Sequence, residues 1–460
     1  MSPATTNVTA SSNIAKSFSE LGLIPPLLAR LTELEYQQPT PIQAQAIPSI
    51  LAGRDLIAGA NTGSGKTATF ALPLLQQVAV QIAEQASVLK SAGGNYVTGL
   101  VLVPTRELAK QVADSIRSYA VHFNGTIKTV AVFGGVSVNT QMLALRGGTD
   151  ILVATPGRLL DLIANNAIKL DRVKTLVLDE ADRMLSLGFT EELTALLALM
   201  PNKPGLGQKQ TLLFSATFPE QVQALTTNLL HDPVEIQLQS ADTSTLVQRV
   251  FTVNKGEKTA ALAHLIKQND WRQVLIFVNA KNGCEHLAYK LSKHDISAEV
   301  FHGNKAQGAR SRVLDAFKSG EVDVLIATDI AARGLDIDKL PVVINFDLPR
   351  SPSDYMHRIG RSGRAGEVGL ALSLIDYEDY HHFKVIEKKN KFRLEREQVG
   401  GFDVDESAAE VLAAEFLAQI KPVAPPAGSG KKKAKKKANE KLNNRAPVNT
   451  DIWAGYSKPE

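Results

Sequence analysis

The chain reads as an α/β protein of two domains, each a parallel sheet flanked by helices, with a disordered basic C-terminal tail. Three observations predict this. Short apolar runs recur in two series: GLVLVP, TVAVF, DILVAT, TLVLDE and TLLFSAT, then VLIFVN, AEVFHG, VLIATD, VVINFD and LALSLI. Each run precedes a stretch of helical spacing, the pattern of buried parallel strands in βαβ units. The 460 residues, 44% hydrophobic and 21% charged, suffice for a buried core in each of two or three domains.

The elements follow in order. Residues 1–17, rich in Ser, Thr, Asn and Ala, are expected to be disordered. The first α/β domain is expected over 18–236, a linker over 237–248 and the second domain over 249–400. An extension over 401–460 carries KPVAPPAGSGKKKAKKKANEK, whose Pro, Gly and Lys content predicts disorder. From Lys431 to Glu460, nine Lys/Arg face three Asp/Glu; with +4 on the whole chain, the body is left at −2. Nucleic-acid binding by the body therefore requires local contacts. The tail reads either as a non-specific nucleic-acid anchor or as a solvated segment without a partner, and Trp453 and Tyr456 near its end do not decide between them. A single cysteine, Cys284, excludes an intrachain disulfide and suits a reducing, cytoplasmic setting. No apolar run has the length of a membrane span, and MSPATTNVTASSN does not read as a signal peptide.

AGANTGSGKTATF is the strongest local motif. Thr62, Gly63, Ser64, Gly65, Lys66 and Thr67 fit the end of a phosphate-binding loop, although Ala60 stands where the generic pattern has glycine. In such a loop, backbone N–H groups wrap phosphates, the lysine reaches the terminal ones and the hydroxyl binds Mg²⁺. The competing reading is a Gly-rich turn before a helix. TLVLDEADRM supplies the carboxylates such a loop needs: Asp179 is placed for Mg²⁺, and Glu180 to orient or deprotonate an attacking water. Taken alone, the acidic pair could equally cap the next helix.

Asp179-Glu180-Ala181-Asp182 resembles the signature of the DEAD-box RNA helicases. The companion motifs stand in order over roughly 18–375: PTPIQ, PTRELA, Gly134–Gly135, TPGR, SAT, ATDIAARGLD and HRIGRSGR. FGGVSVNTQMLALRGG and HGNKAQGAR look closest to the bacterial RhlE-type subgroup. The resemblance implies two RecA-like domains and an ATP- and Mg²⁺-dependent enzyme that remodels RNA or ribonucleoproteins. The domains would close on ATP and RNA, bend the RNA and open short duplexes locally.

The resemblance also assigns residues. Arg361 and Arg364 are expected as arginine fingers toward the γ-phosphate, and His357 as a reporter of nucleotide state. Phe18 stacks on adenine in this reading, Gln43 reads its edge and Tyr36 belongs to the same element, where Glu35 stands in place of the family's usual glycine. Phe18 alone would be an ordinary packing residue. Gly334 and Asp336 meet the ribose and phosphates, while Ser215 and Thr217 bridge Asp182 to His357. Thr105, Arg106, Gly135, Thr155 and Arg158 form an RNA track, continued by Gly303, Gln307, Arg310 and Thr328. Such contacts hold the RNA backbone and read no base, so low sequence specificity and a monomeric catalytic unit are expected. The rival readings are an ATP-gated RNA clamp with incidental unwinding, and a DNA helicase.

Overall fold

Among the described residues fourteen strands carry the fold, and all their pairings are parallel. Seven lie between Leu56 and Gln237: β1 (Leu56–Gly59), β2 (Val97–Leu102), β3 (Thr129–Val132), β4 (Thr149–Ala154), β5 (Thr175–Leu178), β6 (Gln210–Ser215) and β7 (Val234–Gln237). Seven more lie between Leu246 and Gln398: β8 (Leu246–Thr252), β9 (Val274–Phe277), β10 (Glu299–Phe301), β11 (Val324–Ala327), β12 (Val342–Asn345), β13 (Gly369–Ile375) and β14 (Arg396–Gln398). The computed structural model describes residues 17–59, 64–85, 94–123, 125, 127–201, 209–237, 246–332, 337, 340–363 and 369–404. Both sheets belong to one compact unit, Met1–Ala413. The expected disordered ends and most of the expected linker fall outside the described residues.

The strand order is β3-β4-β2-β5-β6-β1-β7 in the first sheet and β10-β11-β9-β12-β13-β8-β14 in the second. Position for position, the second order repeats the first, so the chain carries one RecA-like topology twice. The inner strands β5, β6, β9, β11 and β12 are buried at every position, whereas the edge strands β7 and β14 are not. This is why the inner strands read as unbroken apolar runs: both faces are covered. In β2, Leu100 and Leu102 pack into one core while Val101 packs into the other. In β9, Val274 and Ile276 divide from Leu275 and Phe277 in the same way.

In a parallel sheet all carboxyl ends leave the same edge. Ser64–Thr67 follow β1, Thr105 and Arg106 follow β2, and Gly134–Gly135 follow β3. Thr155–Arg158 follow β4, Asp179 and Glu180 follow β5, and Ser215–Thr217 close β6. In the second sheet, Gly303 follows β10 and Thr328 follows β11.

The two sheets differ at one matched position. Lys66 opens the helix Lys66–Gln85 after β1, and Lys258 opens the helix Lys258–Gln268 after β8. Lys258 is buried, with its Nζ 2.8 Å from Asp379 and 3.6 Å from Asp376, the residue that follows β13. Its charge is answered by the domain's own carboxylates.

Glu35 adopts φ 59°, the left-handed region that the family's glycine would enter freely. Its N–H bonds the Thr32 carbonyl at 3.0 Å, closing the helix Pro25–Glu33. Glu35→Gly relieves this strain against the larger entropy of the unfolded glycine. It should raise stability by up to about 1 kcal/mol in urea denaturation; a loss of stability would mean the turn is not strained.

Candidate functional site

The loop after β1 is fixed from outside itself. Thr40 Oγ1 donates to the Ser64 carbonyl at 2.9 Å, and Gln43 Nε2 donates to the Gly65 carbonyl at 3.2 Å. Gln43 Oε1 accepts from the Thr40 N–H, forming the capping box that starts the helix Pro41–Leu51. Gly65 sits at φ +91°, and a Cβ there would lie 2.5 Å from Gln43 Nε2, so only glycine fits. Lys66 is buried and Thr67 half-buried at the start of the next helix. Thr62 and Gly63 lie outside the described residues.

The aromatic and amide residues before the loop pack closely. Phe18 is 7% exposed and part of the first core, with its ring centroid 6.2 Å from that of Tyr36. It packs, and the accessible ring of the pair is Tyr36, at 39% exposure, whose hydroxyl is 3.1 Å from that of Tyr119. Gln43 is likewise buried, one end of its amide holding the loop and the other capping the helix Pro41–Leu51. Reading an adenine edge would require exchanging those bonds.

Beside the loop stand the carboxylates. Asp179 is 3% exposed; burial pushes its carboxyl up to about 6, with Lys66 pulling the other way and Glu180 adding to the rise. The Glu180 N–H donates to Asp179 Oδ1 at 3.0 Å. Glu180 itself holds φ 54°, ψ 50°, and its Oε2 is buried without a partner. A strained backbone and an orphaned carboxylate oxygen together mark a functional position. Asp182 Oδ2 accepts from the Thr217 N–H at 3.0 Å and the Thr217 hydroxyl at 2.6 Å, while the Asp182 N–H donates to Ser215 Oγ at 3.3 Å. The three expected coupling residues of the first domain are thus one bonded unit.

A cavity of about 590 Å³ joins the two sheets' edges. Lys66, Glu180 and Asp182 line it from one side, and Gly303, Thr328, His357 and Arg361 from the other. Arg361 is 4% exposed. Gly334, Asp336 and Arg364 lie outside the described residues.

HRIGRSGR contains a cation with a different fate. Arg358 is 1% exposed and donates to Asp329 through Nε at 2.6 Å and also through Nη2. Its remaining bonds reach Asn345 Oδ1 at 3.0 Å, the Asp347 carbonyl at 2.6 Å and Asn279 Oδ1 at 3.0 Å. It ties the helix Pro352–Ile359 to the loops after β9, β11 and β12.

The proposed nucleic-acid residues split into two groups. Thr105 caps the helix Arg106–Tyr119, accepting from the Leu108 N–H, and Thr155 occupies the N-cap of Pro156–Ala164. The Arg106 guanidinium lies against Gly134–Gly135; at Gly135, φ +80°, a Cβ would fall 1.8 Å from Arg106 Nη1. Arg158 turns inward, donating to the Val136 carbonyl at 3.0 Å and Gln141 Oε1 at 3.1 Å. Gln307 and Arg310 line a cavity with Glu107 and Lys110. Both reach across to Glu107, at 3.1 Å and 3.0 Å, with Arg310 and Glu107 largely buried. Sequence reasoning missed Glu107, although it stands inside PTRELA; its carboxylate was the only signal, 200 residues from its partner.

The comparisons agree on the class of protein. A family model described as DEAD/DEAH box helicase matches residues 40–225, and one described as Helicase conserved C-terminal domain matches 257–366. The chain is 36% identical over 415 residues to the ATP-dependent RNA helicase CshA of Listeria monocytogenes, covering 88% of this chain and 76% of that one. It is 39% identical over 380 residues to the ATP-dependent RNA helicase DeaD of Escherichia coli, 82% of this chain but 58% of DeaD's length. Among solved structures, S. cerevisiae Dbp5 bound to RNA and ADP BeF3 superposes with a TM-score of 0.69 at 28% identity, over 88% of this chain and all of that one.

Two stability measurements follow from the geometry. The raised pKa of Asp179 means that its ionised form is disfavoured in the fold. Below its unfolded value, near 3.8, there is no penalty; the penalty grows as pH rises and is complete above about 6. Asp179→Asn should therefore stabilise the protein by about 1–3 kcal/mol at pH 7.5 and by almost nothing at pH 3.5. An equal effect at both pH values would mean that the carboxylate is not responsible. Breaking the contact across the sheets leaves a buried charge, so Glu107→Ala should cost about 3 kcal/mol and Glu107→Ala with Arg310→Met together much less. Additive losses in the double variant would show that the pair is not coupled.

Proposed function

Since the chain belongs to the DEAD-box family of ATP-dependent RNA helicases, we propose the following division of labour among its residues. Residues 18–236 form the ATP-binding domain and 249–400 the C-terminal helicase domain. Backbone N–H groups around Ser64 and Gly65 hold the phosphates of ATP, and Lys66 meets the terminal ones. The Thr67 hydroxyl and Asp179 carboxylate are hard oxygen donors suited to Mg²⁺, and a buried carboxylate beside the phosphate loop is the observation that fits them to it. When bound, Mg²⁺ supplies positive charge that offsets the phosphates. Glu180, with one oxygen free of any partner, orients the attacking water and takes its proton. Arg361, from the other domain, meets the charge that develops on the transferred phosphoryl group, with Arg364 as a second finger and Gly334 and Asp336 at the ribose. Asp182, Ser215 and Thr217 relay to His357 whether the cleft is closed.

A single observation carries this reading: the cavity that sets Lys66 and Glu180 against His357 and Arg361. Hydrolysis then requires both domains, and RNA bound along Thr105, Arg106, Gly135, Thr155, Gly303 and Thr328 makes their closure favourable. Backbone contact along this track implies low sequence specificity. Gln307 and Arg310 act one step removed, by joining Glu107 across the domains. Phe18 stacks on adenine beside the more accessible ring of Tyr36, and Gln43 reads the adenine edge on exchanging its loop bonds. The RhlE-type likeness of FGGVSVNTQMLALRGG, a monomeric catalytic unit, ribonucleoprotein or RNA-decay partners and a cytoplasmic location complete the proposal. No helix among the described residues is long and apolar enough to cross a membrane.

The test is RNA-stimulated ATP hydrolysis under single-turnover conditions. Glu180→Gln should keep ATP binding and lose turnover by several orders of magnitude. Arg361→Ala should lose about 10³-fold or more while still binding nucleotide. Parent-like hydrolysis in either variant contradicts its role, and equal stimulation by RNA and DNA of matched sequence would contradict RNA selectivity.

A further inference from the structure

One arginine of the cleft wall has no place in this account. Arg183, in the helix Ala181–Ser186, is 6% exposed, and its Nε and both Nη atoms are buried without a hydrogen-bond partner. It differs from the other buried arginines. Arg158 donates through Nη1 to Val136 and Gln141 and lies 3.6 Å from Asp161 through Nε, and Arg310 pairs with Glu107 through Nη2. Arg358 is bonded at all three nitrogens. A guanidinium does not give up its proton in a protein, so burial cannot neutralise it. A desolvated, unpaired charge is strongly destabilising. Such a group persists where another state of the protein supplies the partner.

The surroundings identify that partner's chemistry. Arg183 lines the same cavity as Lys66, Glu180, His357 and Arg361. A planar fork of donors in a low-dielectric wall selects an oxyanion that accepts two parallel bonds. We propose that Arg183 is an oxyanion receptor that is filled during the ATPase cycle. This rests on the cleft being the site of ATP hydrolysis. Two sources have the required chemistry: the phosphate freed by hydrolysis, which starts beside Lys66 in this cavity, and the carboxylate of Asp354, which lines it from the second domain. In either case the receptor acts after binding of ATP, by holding a product or by latching the closed cleft.

The experiment uses the full-length protein and thermal unfolding. In the first arm, inorganic phosphate is titrated against chloride of matched ionic strength, with ADP present. The parent should gain about 2–4 °C at saturation. Arg183→Met should lose that gain, and Arg183→Lys, which keeps the charge without the fork, should need at least threefold more phosphate. In the second arm, a non-hydrolysable ATP analogue and single-stranded RNA are added without phosphate. If the carboxylate is the source, the ligand-induced gain shrinks equally in Arg183→Met and Asp354→Asn, and phosphate has no effect. Arg183→Met and Arg183→Lys both matching the parent in both arms would overturn the proposal. If the parent itself fails to hydrolyse ATP, the reading of the cleft falls first and this proposal with it. Ordinary hydrolysis with both arms flat removes Arg183 alone.

Discussion

Parallel strand pairing is the constraint on which the rest depends. A parallel neighbour requires the chain to return to the starting edge before each strand, so every connection that follows a strand begins on the same side. Residues as distant as Lys66 and Ser215, or Gly303 and Thr328, come to one edge for that reason alone. No individual contact recruits them. The return helices also cover both faces of each sheet, which is why the strands can be apolar throughout and why their ends are rigid enough to hold polar groups at fixed separations.

Rigid edges allow charge to be buried on two different terms. Arg358 is surrounded by acceptors from three loops, so its charge costs little and its bonds fix where those loops end. Asp179 is cut off from water and flanked by the carboxylates of Glu180 and Asp182, with only partial compensation from Lys66, so its charge is held at a cost. The first arrangement stabilises; the second leaves a site poised for a cation. Both occur at the carboxyl ends of inner strands, where the backbone is least able to relax. Glu180 adds a left-handed backbone at the same edge, so local strain and unfavourable ionisation are concentrated within two residues.

Much of this was legible from local sequence. Runs such as TLVLDE and VLIATD specify strands through their own composition, and the glycines near Lys66 specify a loop through backbone freedom. What escaped depends on segments far apart. Phe18, taken alone, reads as a packing residue, and it does join the first core, but which residues cover it is set by the helices after it. Within HRIGRSGR only the resemblance singled out Arg361, and the local pattern gave no sign that Arg358 meets Asp329. Arg310 reads as a phosphate-binding cation until the first domain supplies Glu107. In each case the type of residue was informative and its partner was not, because the partner comes from a different part of the chain.

The repeated strand order has a consequence for how ligands register in the protein's heat stability. At the matched positions, Lys258 is answered by Asp376 and Asp379, whereas the first sheet's edge keeps a disfavoured Asp179 and an orphaned Glu180 oxygen. A half whose charges are internally balanced gains little from any added ion. A half with unbalanced ones gains free energy from each ligand that restores balance. One topology used twice therefore sets balanced charges at one edge and unbalanced ones at its counterpart, so that two edges of the same construction differ in how much an added counter-charge can stabilise them.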